Sequence, residues 1–559
     1  MIKKVFFLFF VLFFLKTVAQ SFWASSWVVP GAVSIPTQNP STNNNFVGVN
    51  FSTPSYNYQN IQIANSSNLT QSGSYFNDGA ILEVDNNYVP VNSYHFPGTM
   101  FNNIEVIHRE GNYLYYVLLF NNDITVNNIT YNSVNHQTYS LIIKMSTTGQ
   151  FMWVKQVNHH LILPKIQIYN NDLFISGYYK NNGLTIDNTS VSGNLTGNNV
   201  SETFLAKFNA TSGVLNWLKT SNTVSSATEK IGTELIDFQI DSQGNPVLIA
   251  SLYCSSTKFE NTTINKNSGC PNCPSIVIVK YSNSGSVLWA KSPSAYYIYG
   301  NDIKIDTNDN VYITSRVSSN NGYTVNYWGT SVKGRDGHLF KLDKNGNFQW
   351  AQGSKSDKGE HGFNGIYLKG SDVYVATQIN NEVKYNNYIL NSSGYKLNIT
   401  RFDSFGNFVA FKNFELSSVS NINNIRFTDI LNISSSNIFE VSGFFTADTM
   451  IDNHISIVNP NPQNSNNTFV LRSVNNALLS SEEIVVDKWK LFPNPAKDEI
   501  FVDGEELSLK YKIYDLSGRI VDENSLKNSK INISNLSNGI YIVELANDEF
   551  MQRVKIIKE

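Results

Sequence analysis

Cys254, Cys270 and Cys273 are the only thiols in a chain of 559 residues. Cys270-Pro271-Asn272-Cys273 has the two-residue spacing of a redox or metal pair. Three Cys with no nearby His cannot supply four zinc ligands, and no βαβ pattern surrounds the pair. A disulfide from Cys254 to either Cys270 or Cys273 remains, which would staple an insertion and leave one thiol over. His159-His160 is the one adjacent pair among eight histidines, and no carboxylate lies close to it in sequence. It could hold a ligand, although solvated loop histidines are far commoner. Asp343-x-Asn345-x-Asn347 opens like a calcium loop, but Ser354 stands at the twelfth position, where such a loop needs Glu. An Asx-turn explains the same three residues. No Gly-x-Ser-x-Gly, His-Glu-x-x-His or P-loop pattern occurs. Carboxylates on turns could still meet in space for glycoside chemistry. From its motifs alone the chain reads as no enzyme, with no cofactor and no metal.

The composition narrows the partners. Basic and acidic residues number 41 and 44, a net charge of −3, and charged residues are only 15% of the chain. That balance leaves no electrostatic footprint for nucleic acid and no polybasic patch for an anionic membrane. Aromatic residues at 13% and hydrophobic residues at 41% are too many for a disordered chain.

Met1-Ile2-Lys3-Lys4 gives a short positive start, followed by an apolar run from Val5 to Leu15. As a helix this run spans about 16 Å, half of a ~30 Å hydrocarbon core, so it reads as a signal peptide cut between Ala19 and Gln20. No Cys stands at the cut to take a lipid, and no later segment approaches a spanning helix.

The middle of the chain repeats. Ile142-Ile143-Lys144-Met145 leads to Gly149 and Trp153, Leu205-Ala206-Lys207-Phe208 to Gly213 and Trp217, and Ile278-Val279-Lys280-Tyr281 to Gly285 and Trp289. Leu339-Phe340-Lys341-Leu342 leads to Gly346 and Trp350, and Ile399-Thr400-Arg401-Phe402 to Gly406. With weaker copies at Glu83 and Arg472, the anchors step by 61, 63, 73, 61, 60 and 71 residues. Between these hairpins lies a second pair of strands, clearest as Ile303–Asp306 and Val311–Thr314. Each Gly suits a turn that ends in a left-handed residue. The recurring Trp suits packing between neighbouring sheets, since a ligand site seldom needs one residue in every unit.

Four strands per unit of about 60 residues predict an all-β fold, a β-propeller. Phe46–Phe51 supplies a strand for an extra first unit, which favours seven blades over six, closed by strands from both ends of the region. The units resemble β-propeller repeats of bacterial secreted proteins, a resemblance that covers residues 80–475 and leaves activity open.

After a polar stretch a separate module begins. It contains Leu491-Phe492-Pro493-Asn494-Pro495, the Tyr514–Arg519 turn with Gly518, the segment Leu536–Tyr541 with Gly539, and a basic terminal strand. About seventy residues of short strands make a small Ig-like β-sandwich. These four elements resemble the type A C-terminal sorting domain of the type IX (Por) secretion system. The resemblance implies a bacterium of the Bacteroidota, periplasmic passage, and recognition by outer-membrane machinery and a sorting protease. The mature protein would then be secreted or attached to the cell surface. Asp448-Thr449-Met450 is similar to an O-glycosylation acceptor of the same bacteria. The expected organisation is a signal peptide over 1–19, a propeller over 20–475, a linker over 476–487 and the sorting domain over 488–559. The expected function is binding or adhesion to an extracellular glycan or protein. The alternative is a polysaccharide-degrading hydrolase or lyase with its site at the mouth of the propeller channel.

Overall fold

A computed structural model describes residues 23–473 and 489–559, apart from short internal segments. The signal-peptide cut at Ala19 and Gln20, Cys270, Cys273, the linker at 476–487 and Gly518 lie outside the described residues. Every described element is a strand, and no described helix is long and apolar enough to cross a membrane.

Residues 23–473 form seven antiparallel sheets, each with four main strands and four of them extended to six by an added hairpin. In chain order sheets 1 to 6 span 32–95, 102–157, 162–223, 233–291, 298–356 and 363–417, each pairing its strands in sequence. Sheet 7 takes three strands from 425–473, and its fourth is the N-terminal strand Trp23–Pro30, antiparallel to Asn467–Ser473. The Phe46–Phe51 segment pairs with Asp78–Val84 in sheet 1, as the sequence predicts.

Alternation along the strands gives each sheet two apolar faces, so it must be covered on both. Seven buried clusters supply the cover, one between each sheet and the next. Val247, Ile249 and Ile278 of sheet 4 meet Ile303, Val311 and Phe340 of sheet 5, for example. Ala376 and Ile399 of sheet 6 meet Phe427 and Val441 of sheet 7. The circuit returns to its start where Val470 of sheet 7 packs on Val47, Val49 and Leu82 of sheet 1.

The repeated Lys and Trp hold these contacts in register. They face each other across the last two strands of their sheet, as Lys144–Trp153, Lys207–Trp217, Lys280–Trp289 and Lys341–Trp350. Both side chains of a pair donate to one backbone carbonyl in a turn of the next sheet. For Lys207 and Trp217 that acceptor is Asn283 O, at 3.3 and 3.1 Å. The other three pairs reach Ala210, Lys344 and Ser404 in the same way. Arg472 repeats the contact from sheet 7 to sheet 1, donating to Asn86 O at 3.2 Å. Sheet 7 ends on the N-terminal strand and so has no covalent turn for sheet 6 to reach. Arg401 keeps the ion pair within its own sheet, to Asp372 at 3.7 Å, that Lys207 and Lys280 make with Asp172 and Asp241 at 2.8 and 2.7 Å.

The accepting turns explain their glycines. In Asp343–Asn347, Asp343 Oδ1 accepts the amides of Asn345 and Asn347 at 2.9 and 2.8 Å, and Gly346 takes φ +76°. This is the Asx-turn expected from the sequence, with the carboxylate spent on the chain's own N–H groups. A Cβ on Gly346 would lie 2.9 Å from the Trp289 ring. Gly346→Ala is therefore expected to cost about 1–3 kcal/mol, from left-handed backbone and overpacking together. Urea unfolding measures this, and an unchanged midpoint would refute it.

One repeated element was missed by the sequence reading. Each sheet carries a short hairpin between its second and third strands, and four of these extend the outer edge of the preceding sheet. Two more reach it through single bridges, Gly98–Ile124 and Ser294–Asn326.

The tail forms two sheets, of three and four strands, around a core of Trp489, Ile500, Ile513, Val543 and Ile556. Asn494 of the Leu491–Pro495 motif binds the terminal strand at both polar atoms. Its Nδ2 donates to Lys555 O at 2.8 Å, and its Oδ1 accepts Ile557 N at 2.9 Å. Phe492, half exposed, stacks on Phe501 at 6.0 Å, and Gly539 opens the strand that pairs with the chain end.

Candidate functional site

The first strand of every sheet carries a bulge. In sheets 3, 4, 5 and 7 the register shift ends on Lys165, Asp237, Asp302 and Asp429. A bulge re-aims the side chain beside it. Since the first strands pack on the preceding sheets, charges far apart in sequence meet at one level.

Lys304 Nζ sits 2.9 Å from Asp302 Oδ1. Asp302 Oδ2 accepts the Ile366 amide of sheet 6 at 2.7 Å. Asp429 Oδ1 is buried without a hydrogen-bond partner. Gly365 in sheet 6 leaves it room, because a Cβ there would lie 2.9 Å from that oxygen. Burial pushes Asp237 up to about 6, with Asp302 adding and Lys165 and Lys304 opposing. Burial likewise pushes Asp429 up to about 7 against the pull of Lys304. Burial would lower Lys304, but Asp302, Asp429 and Asp237 hold it above the ordinary lysine value. The arrangement can keep carboxylic acids protonated near neutrality beside an ammonium ion. No group of three His, Cys, Asp or Glu with metal-holding geometry occurs among the described residues.

A second polar constellation is not a relay. Ser66 Oγ and His95 Nε2 both contact Asp78 Oδ2, at 2.9 Å each, rather than each other. Burial would raise Asp78, but His95, Ser66 and Asn102 hold it below the ordinary carboxylate value, which makes it a poor base for the serine.

The third feature is a cleft of about 380 Å³ between sheets 1 and 2. Glu83, Asn92 and Tyr94 line it from sheet 1, with Arg109, Thr147 and Thr148 opposite and Asn44 at the end. Glu83 and Asn92 face each other in register, where four other interfaces have Lys and Trp. Tyr94, two residues on, takes over the contact by donating to Thr147 O at 2.9 Å.

The residues singled out from sequence are scattered. Cys254 is buried, its Sγ 3.2 Å from Ser256 O. His159 and His160 are both lowered by burial, and the His159 ring meets Tyr179 edge-on at 6.3 Å. Thr449 is buried, 5% exposed, at the start of the strand Thr449–Ile451. The carboxylate level and the cleft were both missed. The first left only isolated acids in its strands, and the second shows as Glu83 and Asn92 in the Lys and Trp columns of the repeat.

A search of curated proteins finds no match. Among solved structures, the chain is similar to PorZ, a surface component of the type IX secretion system of Porphyromonas gingivalis. The identity is 10% over 94% of this chain and 81% of that one, with a TM-score of 0.17. It is also similar to the extracellular domain of a putative one-component system from B. thetaiotaomicron, at 11% identity over 96% and 98%, with a TM-score of 0.15. A protein of Chaetomium thermophilum aligns at 7% over 79% and 96%, with a TM-score of 0.33. Family comparison matches the tail, over residues 490–559, to the family described as "Secretion system C-terminal sorting domain". With the Leu491–Pro495 motif clasping the terminal strand, residues 490–559 are a type IX secretion C-terminal sorting domain, and the chain is an exported one.

Proposed function

We propose that the seven sheets are the blades of one closed β-propeller over residues 20–475, displayed outside the cell, where it binds an extracellular glycan or protein. The sorting domain carries this reading, because a chain addressed to the surface or the medium does its work there. The return of sheet 7 onto sheet 1 supports the closed ring. Export then begins with removal of residues 1–19. The secretion machinery and its sorting protease act on residues 488–559, an Ig-like sandwich joined through a linker at 476–487. A disulfide from Cys254 to Cys270 or Cys273 would form during oxidising passage.

Fractionation of cells expressing the full chain and a chain lacking residues 488–559 tests the reading. The full chain is expected at the surface or in the medium, and the truncated chain in the periplasm. Surface delivery of the truncated chain would overturn it.

One observation favours the second reading, a polysaccharide hydrolase or lyase. Asp237 and Asp429 are carboxyls raised toward neutrality beside Lys304, as a general acid would be. Asp429→Asn separates the two, since a binder keeps its affinity and a hydrolase loses turnover.

A further inference from the structure

We infer that the cleft between sheets 1 and 2 is a binding site for a neutral saccharide of one or two rings. The inference deepens the binding reading above and rests on it. Four interfaces close the equivalent position with a Trp ring and a Lys ammonium on one carbonyl. Between sheets 1 and 2 the same two register positions hold Asn92 and Glu83. Tyr94 keeps the two sheets joined through Thr147 O, its smaller ring covering Gly149 as Trp covers the glycine of the other four turns, and the cleft lies beside it. At about 380 Å³ the opening lies at the small end of the ~300–1,000 Å³ usual for ligand sites.

The lining sets the ligand class. Asn44, Asn92, Thr147 and Thr148 offer amides and hydroxyls that match the alternating donors and acceptors of sugar hydroxyls. Tyr94 adds an aromatic surface for sugar C–H groups. Glu83 and Arg109 carry opposite charges on the two walls, so the cleft selects for neither an acidic nor a basic sugar. Asn44 ties these walls together, its Nδ2 donating to Glu83 at 2.8 Å and its O accepting from Arg109 at 2.6 Å. The polar groups are therefore held in place before a ligand arrives, which lowers the ordering cost of binding.

The test restores the sibling interface. The full chain without its signal peptide is titrated with maltose, cellobiose, lactose and N,N′-diacetylchitobiose, followed by saturation-transfer NMR and calorimetry. The wild type is expected to bind at least one of them. The double variant Glu83→Lys, Asn92→Trp, which rebuilds the Lys–Trp pair, is expected to bind it about tenfold more weakly or worse while melting no lower. Thr148→Tyr, at an exposed position on the opposite wall, is a second plug with little effect on folding and the same expected loss. Equal binding by wild type and both variants overturns the cleft assignment and leaves the wider binding reading intact. Failure of the wild type to bind any of the four also overturns it, and capture of a surface protein by the same chain would show that reading standing without it.

Discussion

Trp217→Ala is expected to lower the unfolding free energy by about 3 kcal/mol, the lower end for loss of a buried Trp because this ring keeps some solvent contact. The ring packs edge-on against Phe174 at 6.0 Å and covers Gly285, whose added Cβ would lie 3.1 Å away. Its Nε1 gives Asn283 O one of two donors, and Lys207 supplies the other. Trp217→Phe separates these contributions. It keeps most of the packing and loses one hydrogen bond, so about 1 kcal/mol should go. Urea unfolding of both variants decides the matter. Equal losses would mean that the indole N–H, and not the ring, holds sheets 3 and 4 together.

Lys304→Met is expected to cost about 3 kcal/mol at pH 8, because it leaves Asp237, Asp302 and Asp429 without their shared cation. The loss should shrink as pH falls. Asp237 and Asp429 already have raised values in the folded state, about 6 and about 7, against 3.8 for an ordinary Asp. A carboxyl raised on folding binds more protons folded than unfolded. Its stabilising share is therefore complete below the unfolded value and is lost as pH rises through the folded one. Removing Lys304 raises the folded values further, so acid relieves the variant more than the wild type. Asp429→Asn should act in the opposite direction, being more stable than wild type at pH 8 by on the order of 2 kcal/mol and losing that advantage by pH 5. Melts at the two pH values provide the comparison. A Lys304→Met loss that is the same at both would show that the three acids are not electrically joined.

Local signals made much of this fold readable. The Lys, Gly and Trp columns recur every 60 to 73 residues, and each marks a hairpin that the structure contains. The turn at Asp343–Asn347 was specified by its own five residues. The short hairpins between second and third strands were not readable, since strands such as Ser256–Phe259 and Thr262–Asn265 are only four residues long. So few positions, set among Asn and Thr, show no period that separates strand from loop. The acid cluster was hidden for another reason. Asp237, Asp302 and Asp429 lie 65 and 127 residues apart, and only bulges in three separate strands bring them to one level. The role of the repeated Lys was also invisible, because it reaches a backbone carbonyl in the following unit, which any residue type supplies, and for Lys207 and Lys280 a carboxylate of another strand pair in its own sheet.

The pairing of Trp23–Pro30 with Asn467–Ser473 sets an order of events for a molecule that must travel. The earlier-made of the two stretches waits for the later one, more than 400 residues on. Until both are present, Asn467–Ser473 has a bare row of amides and carbonyls on one side, open to any passing strand. The separation itself is a mild obstacle, since closure entropy grows only with the logarithm of the intervening length. A cargo with this seam fastened has already shown that everything between its two strands was delivered.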